Sequence, residues 1–183
     1  EPQAAASLAH TLKRDRRAKA IAIDGWTALT AYIPPKERRG LVLIDPPFEA
    51  ANEFEMLERA LRHGLRRFAT GCYAVWYPIK DRPAVDRFLA AFAALKVLRL
   101  ELKVPAPADR LGACGLMVIN PPWKFEEAMR DALPFIAAAL GGEALLARTV
   151  AGVATTAERH VRVHACGGQV DHDHAGLAVA AEV

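Results

Sequence analysis

Asp45-Pro46-Pro47-Phe48 is the stretch in which residue type and spacing point most directly to chemistry. A carboxylate, two prolines and an aromatic ring in succession make a rigid corner. The Asp45 carboxylate and the Pro46 carbonyl can accept the two protons of a planar exocyclic amine. Phe48 can stack on the base that carries that amine. The bland alternative is a plain strand-to-helix turn, which rarely needs an acid and two prolines together. A second corner, Asn120-Pro121-Pro122-Trp123, repeats the pattern with an amide in place of the acid. A second acid, in Asp24-Gly25, ends another short apolar run.

Other reactive side chains carry a weaker signal. His160, His164, Cys166, His172 and His174 crowd the last part of the sequence. His160 and His164 could share a zinc ion if that segment were helical, but no finger-type spacing surrounds them, and no metal is expected. The three cysteines, Cys72, Cys114 and Cys166, form no Cys-x-x-Cys pair; a reducing cytosol fits them better than a disulfide framework. The net charge of +3 is too mild to argue for nucleic acid by itself. The distribution says more: Lys13, Arg14, Arg16, Arg17 and Lys19 cluster, as do Lys36, Arg38 and Arg39, then Arg62, Arg66 and Arg67. Such clusters are solvated faces or phosphate-binding surfaces. No apolar run approaches the roughly 18 residues of a membrane span.

The elements that would position these residues alternate between strand and helix, as in an α/β protein with a mostly parallel sheet. A helical pattern through Ala4, Leu8 and Leu12 comes first, then an expected strand Ala18 to Ile23 leading into Asp24. A short helix is expected from Trp26 to Tyr32. Leu41 to Ile44, four consecutive apolar residues, read as a central strand buried on both faces. Prolines stop it at Asp45, and in open α/β sheets ligands sit outside the carboxyl ends of strands. A helix from Glu49 to Leu65 and a strand from Phe68 to Tyr77 follow. Asp81 then caps a helix with Pro83 in its first turn. Val97 to Val104 alternates apolar and charged residues, which predicts a strand near an edge with one wet face. Cys114 to Ile119 is a last apolar strand, followed by a helix from Phe125 to Leu140 that Gly141-Gly142 ends. From about Ala147 the texture changes to Ala, Val, Gly and His without a clear period.

Three blocks in order carry a family resemblance: Arg39 to Phe48, Arg67 to Pro78, and Gly115 to Lys124. Together they resemble the RlmJ family, bacterial methyltransferases that act on the N(6) amine of an adenine in 23S ribosomal RNA with S-adenosylmethionine. The resemblance runs from Glu1 to about Leu146. It implies a Rossmann-like S-adenosylmethionine-dependent methyltransferase fold. By resemblance, Asp45, Pro46, Pro47 and Phe48 form the catalytic corner, while Glu1, Asp24, Gly25 and Asp45 face the cofactor.

Two departures from the family shape the expectations. The family's first strands, its glycine-rich loop and a helical insertion all precede the residue matched by Glu1. Residues 147–183 do not match the family's ending. The sequence therefore reads as a partial methyltransferase domain over 1–146, followed by a poorly ordered tail. The strands at Leu41, Tyr73, Val97 and Met117 are expected to form one sheet, with Ala18 to Ile23 left at an exposed edge or paired elsewhere. Of the two proline corners, Asp45 is preferred because its strand directly follows the Asp24-Gly25 corner. A cytoplasmic monomer bound to 23S ribosomal RNA is expected. The rivals are a DNA adenine methyltransferase, which shares the corner chemistry, and a non-catalytic RNA-binding fragment.

Overall fold

Alternation along one strand organises the core. In β2 (Cys72–Pro78), Tyr73, Val75 and Tyr77 are fully buried on one face while Ala74 is buried on the other. That period of two requires cover on both faces. The computed structural model describes residues 2–149, and the backbone alone for 157–161. On the first face, Tyr73, Val75 and Tyr77 join Leu57 and Leu61 from α3 (Glu53–Arg67) and Val85 and Phe88 from α4 (Arg82–Ala90). On the second face, Ala74 joins Leu98, Val118 and Leu146, under Leu133 and Ala137 of α5 (Phe125–Ala139).

The sheet has six strands in the order β1-β2-β4-β3-β5-β6. Here β1 is Leu41–Ile44, β3 is Val97–Lys103, β4 is Ala113–Ile119, β5 is Glu143–Thr149 and β6 is Ala157–Val161. The four strands expected to share a sheet do so. The mostly parallel pairing is not found: among the described residues only β1 and β2 pair in parallel, with Leu41 opposite Cys72 and Ile44 opposite Val75. The loop between β3 and β4 is too short for a crossover helix. It therefore returns the chain antiparallel, and β4 runs between β2 and β3 against both.

Two strand expectations change with that order. β3 is interior, flanked by β4 and β5. Its charged face is covered, because Glu101 is 8% exposed and accepts hydrogen bonds from the Tyr77 hydroxyl at 2.9 Å and from Arg82 at 2.8 and 3.1 Å. β1, expected to be central and buried on both faces, is instead an edge strand among the described residues. Ile44 is buried, but Leu41 and Leu43 are each 63% exposed, because no described element covers that face.

In α1 (Pro2–Thr11) and its 3-10 extension Leu12–Arg14, no residue from 3 to 14 is buried. Ala18 to Ile23 is not a strand; it finds no ladder partner, and Ile21 and Ile23 remain about 40% exposed. α2 (Gly25–Ala31) returns the chain to the core, where Trp26, Leu29 and the buried Ile33 pack.

Helix ends follow local chemistry. α3 begins at Glu53 rather than Glu49, since Pro46, Pro47 and a left-handed Phe48 (φ 53) carry the chain away first. The Glu53 carboxylate accepts from the Ala50 N–H at 3.2 Å, tightening that turn. α5 ends where Gly141 takes φ 62 and the Gly142 N–H reaches back to the Ala137 carbonyl. The expected boundary between residues 146 and 147 falls inside β5. Glu1, His164, Cys166, His172 and His174 lie outside the described residues. His160 lies on β6, a strand, and its expected partner lies outside the described residues.

Candidate functional site

The exposed face of β1 forms one wall of an open cavity of about 2210 Å³. Each proposed corner reaches it through its own element. Asp45, Pro46 and Pro47 enter from the carboxyl end of β1, and Asp24 and Gly25 from the N-terminus of α2. The loop Lys36 to Arg39 supplies three exposed cations, Lys36, Arg38 and Arg39, along the same wall.

Asp24 is fixed by its own helix. Its carboxylate accepts from the Thr27 N–H at 2.9 Å and from the Thr27 hydroxyl at 3.0 Å. Those bonds stabilise the charged form and hold its pKa below the ordinary carboxylate value. A helix start that keeps an anion ready is therefore built into the Asp24-Gly25 turn. A Cβ added at Gly25 would meet nothing within 4 Å, so the space in front of it is open.

Asp45 and Pro47 are exposed and Pro46 is buried, so the corner shows its acid to the cavity while one proline anchors it. Phe48 does not line the cavity. It is half-buried, with its ring 5.0 Å from Phe54 and 6.0 Å from Trp76. Phe54 continues the aromatic chain to Phe88 at 5.2 Å. In this arrangement Phe48 braces the corner from the core side.

The second corner has a different local task. The Asn120 side-chain amide donates to the Ala69 and Gly71 carbonyls at 2.8 and 2.9 Å. Tyr73 on β2 lies opposite Ile119, so Asn120 locks the end of β4 to the turn that opens β2. Since β1 and β2 are parallel and β4 is antiparallel, this lock sits at the end of the sheet opposite Asp45. Asn120 and Trp123 still reach the large cavity, which runs the length of the β1 edge.

Glu53 was not singled out by sequence reasoning. It is 6% exposed and lines the cavity beside the Asp45 corner. An acid in the first turn of a helix reads as ordinary dipole compensation, so its spacing from Asp45 was the only clue. Among the described residues, no group of three or more His, Cys, Asp or Glu could hold a metal ion, and no helix is long and apolar enough to cross a membrane.

Comparison with known proteins adds independent information. The family model for RsmJ, described as ribosomal RNA large subunit methyltransferase D, RlmJ, matches residues 1–150. Ribosomal RNA large subunit methyltransferase J of Escherichia coli is 43% identical over 129 residues, covering 68% of this chain and 46% of that protein. The Haemophilus influenzae protein of the same name is 44% identical over 118 residues, covering 62% and 42%. The crystal structure of protein LPL1258 from Legionella pneumophila superposes with a TM-score of 0.65 at 30% identity, covering 69% of this chain and 50% of that one. The chain thus spans about half the length of the curated relatives it matches.

Proposed function

The chain belongs to the RlmJ family of ribosomal RNA large subunit methyltransferases, and from that premise we propose that it serves S-adenosylmethionine-dependent methylation of the exocyclic N(6) amine of an adenine in 23S ribosomal RNA. The observation that carries this reading is the sharing of one cavity by Asp24-Gly25, Asp45-Pro46-Pro47 and the cations of the Lys36 to Arg39 loop.

The residues present fit the cofactor. Asp24 holds a carboxylate ready at a helix start, Gly25 leaves open space, and Asp45 faces the same cavity. Asp24, Gly25 and Asp45 would hold S-adenosylmethionine, with Glu1 a further candidate by its place in the sequence. When bound, that group supplies an electrophilic methyl.

The chain's own residues then act on the amine. The lone pair of an adenine N(6) is delocalised into the ring, which makes it a weak nucleophile. Hydrogen bonds from its two protons to the Asp45 carboxylate and the Pro46 carbonyl would hold the nitrogen in place and localise that pair. The anionic carboxylate also stabilises the positive charge that develops on nitrogen. Full proton removal before transfer is unnecessary. A base extruded from its stack would present the amine, while Lys36, Arg38 and Arg39 neutralise neighbouring phosphates. Phe48 would support the extruded base if its ring turns outward, and otherwise keeps the corner rigid. The proposed setting is the cytoplasm, with the protein acting as a monomer.

The test is methyl transfer from labelled S-adenosylmethionine by the full-length gene product, with nucleoside analysis of the product. Unmodified 23S ribosomal RNA should yield N(6)-methyladenosine and duplex DNA should not. Methylated DNA with unlabelled RNA would reverse the substrate assignment.

A further inference from the structure

Among the described residues, three that are not glycine adopt left-handed backbone: Phe48, Asn120 and Lys124, with φ of 53, 52 and 66. All three belong to the two proline corners. Such conformations cost about 1–2 kcal/mol for a residue with a side chain, and they concentrate where structure serves a ligand. The first corner is absorbed by the reaction above. The second, Asn120 to Lys124, is not.

What that second corner displays is an aromatic ring. Trp123 is 88% exposed, the most exposed large hydrophobic side chain among the described residues. Its position is fixed from both sides. Asn120 is tied to Ala69 and Gly71 through its amide and to the Lys96 carbonyl through its N–H, and the Phe125 N–H closes a turn onto the Pro122 carbonyl. Two prolines stiffen the chain between those ties. The ring is thus presented on a preorganised mount rather than on a loose loop.

Its surroundings are cationic. Trp123 borders a shallow cavity of about 370 Å³ together with Lys96, Lys124, Arg130 and Arg148. The Lys124 ammonium lies 5.0 Å from the ring centroid. Two acids, Glu126 and Glu127, share the cavity. Glu126 bridges Arg130 at 3.1 Å and Arg148 at 3.3 Å, which holds both guanidinium groups at the rim. Four cations against two acids leave the patch net positive. Trp123 and Pro122 also line the large cavity, so the patch is continuous with the candidate reaction site.

We propose that Trp123 and its ring of cations form a docking platform for single-stranded RNA: the indole stacks on an unpaired base while Lys96, Lys124, Arg130 and Arg148 contact the flanking phosphates. An exposed aromatic ring flanked by cations is the arrangement that binds single strands with little sequence preference. The platform sits at the opposite end of β1 from Asp45. A four-residue strand is about 13 Å long, so the base held here lies a few nucleotides from the one whose amine reacts. The proposal rests on the reading of an RNA substrate above but concerns binding alone, so it is tested without methyl transfer.

The experiment uses the 183-residue chain and a fluorescein-labelled oligoadenylate of about 12 nucleotides, within the usual site size for such surfaces. Binding is followed by anisotropy across a salt series, with heparin as a polyanion that lacks bases. Trp123→Ala should weaken oligoadenylate binding by roughly 5- to 100-fold and leave heparin binding within about 2-fold. Trp123→Phe should restore most of the loss. Lys96→Ala should weaken both ligands and flatten the salt dependence. Thermal melting of Trp123→Ala should match wild type, since the ring is exposed. Equal oligoadenylate binding by wild type and Trp123→Ala would overturn the platform while leaving the Asp45 reading intact, as would absence of binding by wild type. A change of oligomeric state in Trp123→Ala, seen by sedimentation, would assign the patch to self-association and also overturn it.

Discussion

Asn120 and Phe48 show how two similar corners divide their work. Asn120 has left-handed backbone, which asparagine tolerates better than alanine, and its amide makes both side-chain bonds to the β2 turn. Asn120→Ala should lower stability to urea by about 1–3 kcal/mol. Asn120→Gly, which relaxes the backbone but loses the amide, should fall between it and wild type. Equal stability of all three would deny the lock. Phe48 stands against Phe54 and Trp76, so Phe48→Ala should cost about 1–2 kcal/mol of stability, less than a fully buried phenylalanine. If transfer falls while melting is unchanged, Phe48 stacks on the base instead of bracing the corner. The amine-gripping chemistry was legible because an acid and two prolines leave few other uses. The bracing role was not, since ring direction depends on packing against Phe54 and Trp76, which the residues of the corner do not encode.

At the scale of elements, the buried Glu101 joins three of them. β3 carries Glu101, β2 carries Tyr77, and α4 carries Arg82, whose side chain remains 39% exposed. Burial and the neighbouring carboxylate push the Tyr77 hydroxyl far above its usual pKa, so it stays a donor at all ordinary pH. Glu101→Ala removes the shared acceptor and should destabilise the chain by about 3 kcal/mol, the low end for a buried pair because Arg82 can turn to solvent. Glu101→Gln, which keeps an acceptor for Tyr77, should cost less. A denaturation midpoint unchanged in Glu101→Ala would refute this. The same residues explain where periodicity misled. Charged alternation in Val97 to Val104 suggested a wet face near an edge, but Arg82 and Tyr77 cover that face and β5 and β6 lie between β3 and the edge. Conversely, Leu41 to Ile44 is apolar throughout and suggested full burial, yet β1 is an edge strand. A run of hydrophobic residues records that cover is wanted, not which element supplies it.

At the scale of the whole molecule, the cavity is larger than the roughly 300–1,000 Å³ of a closed ligand pocket, and Leu41 and Leu43 are open along it. A cofactor held by Asp24, Gly25 and Asp45 would be enclosed on few sides. The 183-residue chain should therefore bind S-adenosylmethionine weakly, with no saturation by calorimetry below about 1 mM. Tight binding by the chain alone would contradict this. That the strands at Leu41, Tyr73, Val97 and Met117 share one sheet was legible because each is a short apolar-rich run and three of them fall in the family blocks. The fate of Ala18 to Ile23 was not, since a strand needs a partner and periodicity cannot name one. The most direct measurement compares wild type with Asp45→Ala in the full-length gene product, reading S-adenosylmethionine affinity by calorimetry and N(6)-methyladenosine formed in unmodified 23S ribosomal RNA. Asp45→Ala should bind the cofactor within about 10-fold of wild type while methyl transfer falls by a factor on the order of 100 or more. Transfer near the wild-type rate in Asp45→Ala, with loss of transfer in a folded Asn120→Ala, would contradict the assignment of the reacting corner.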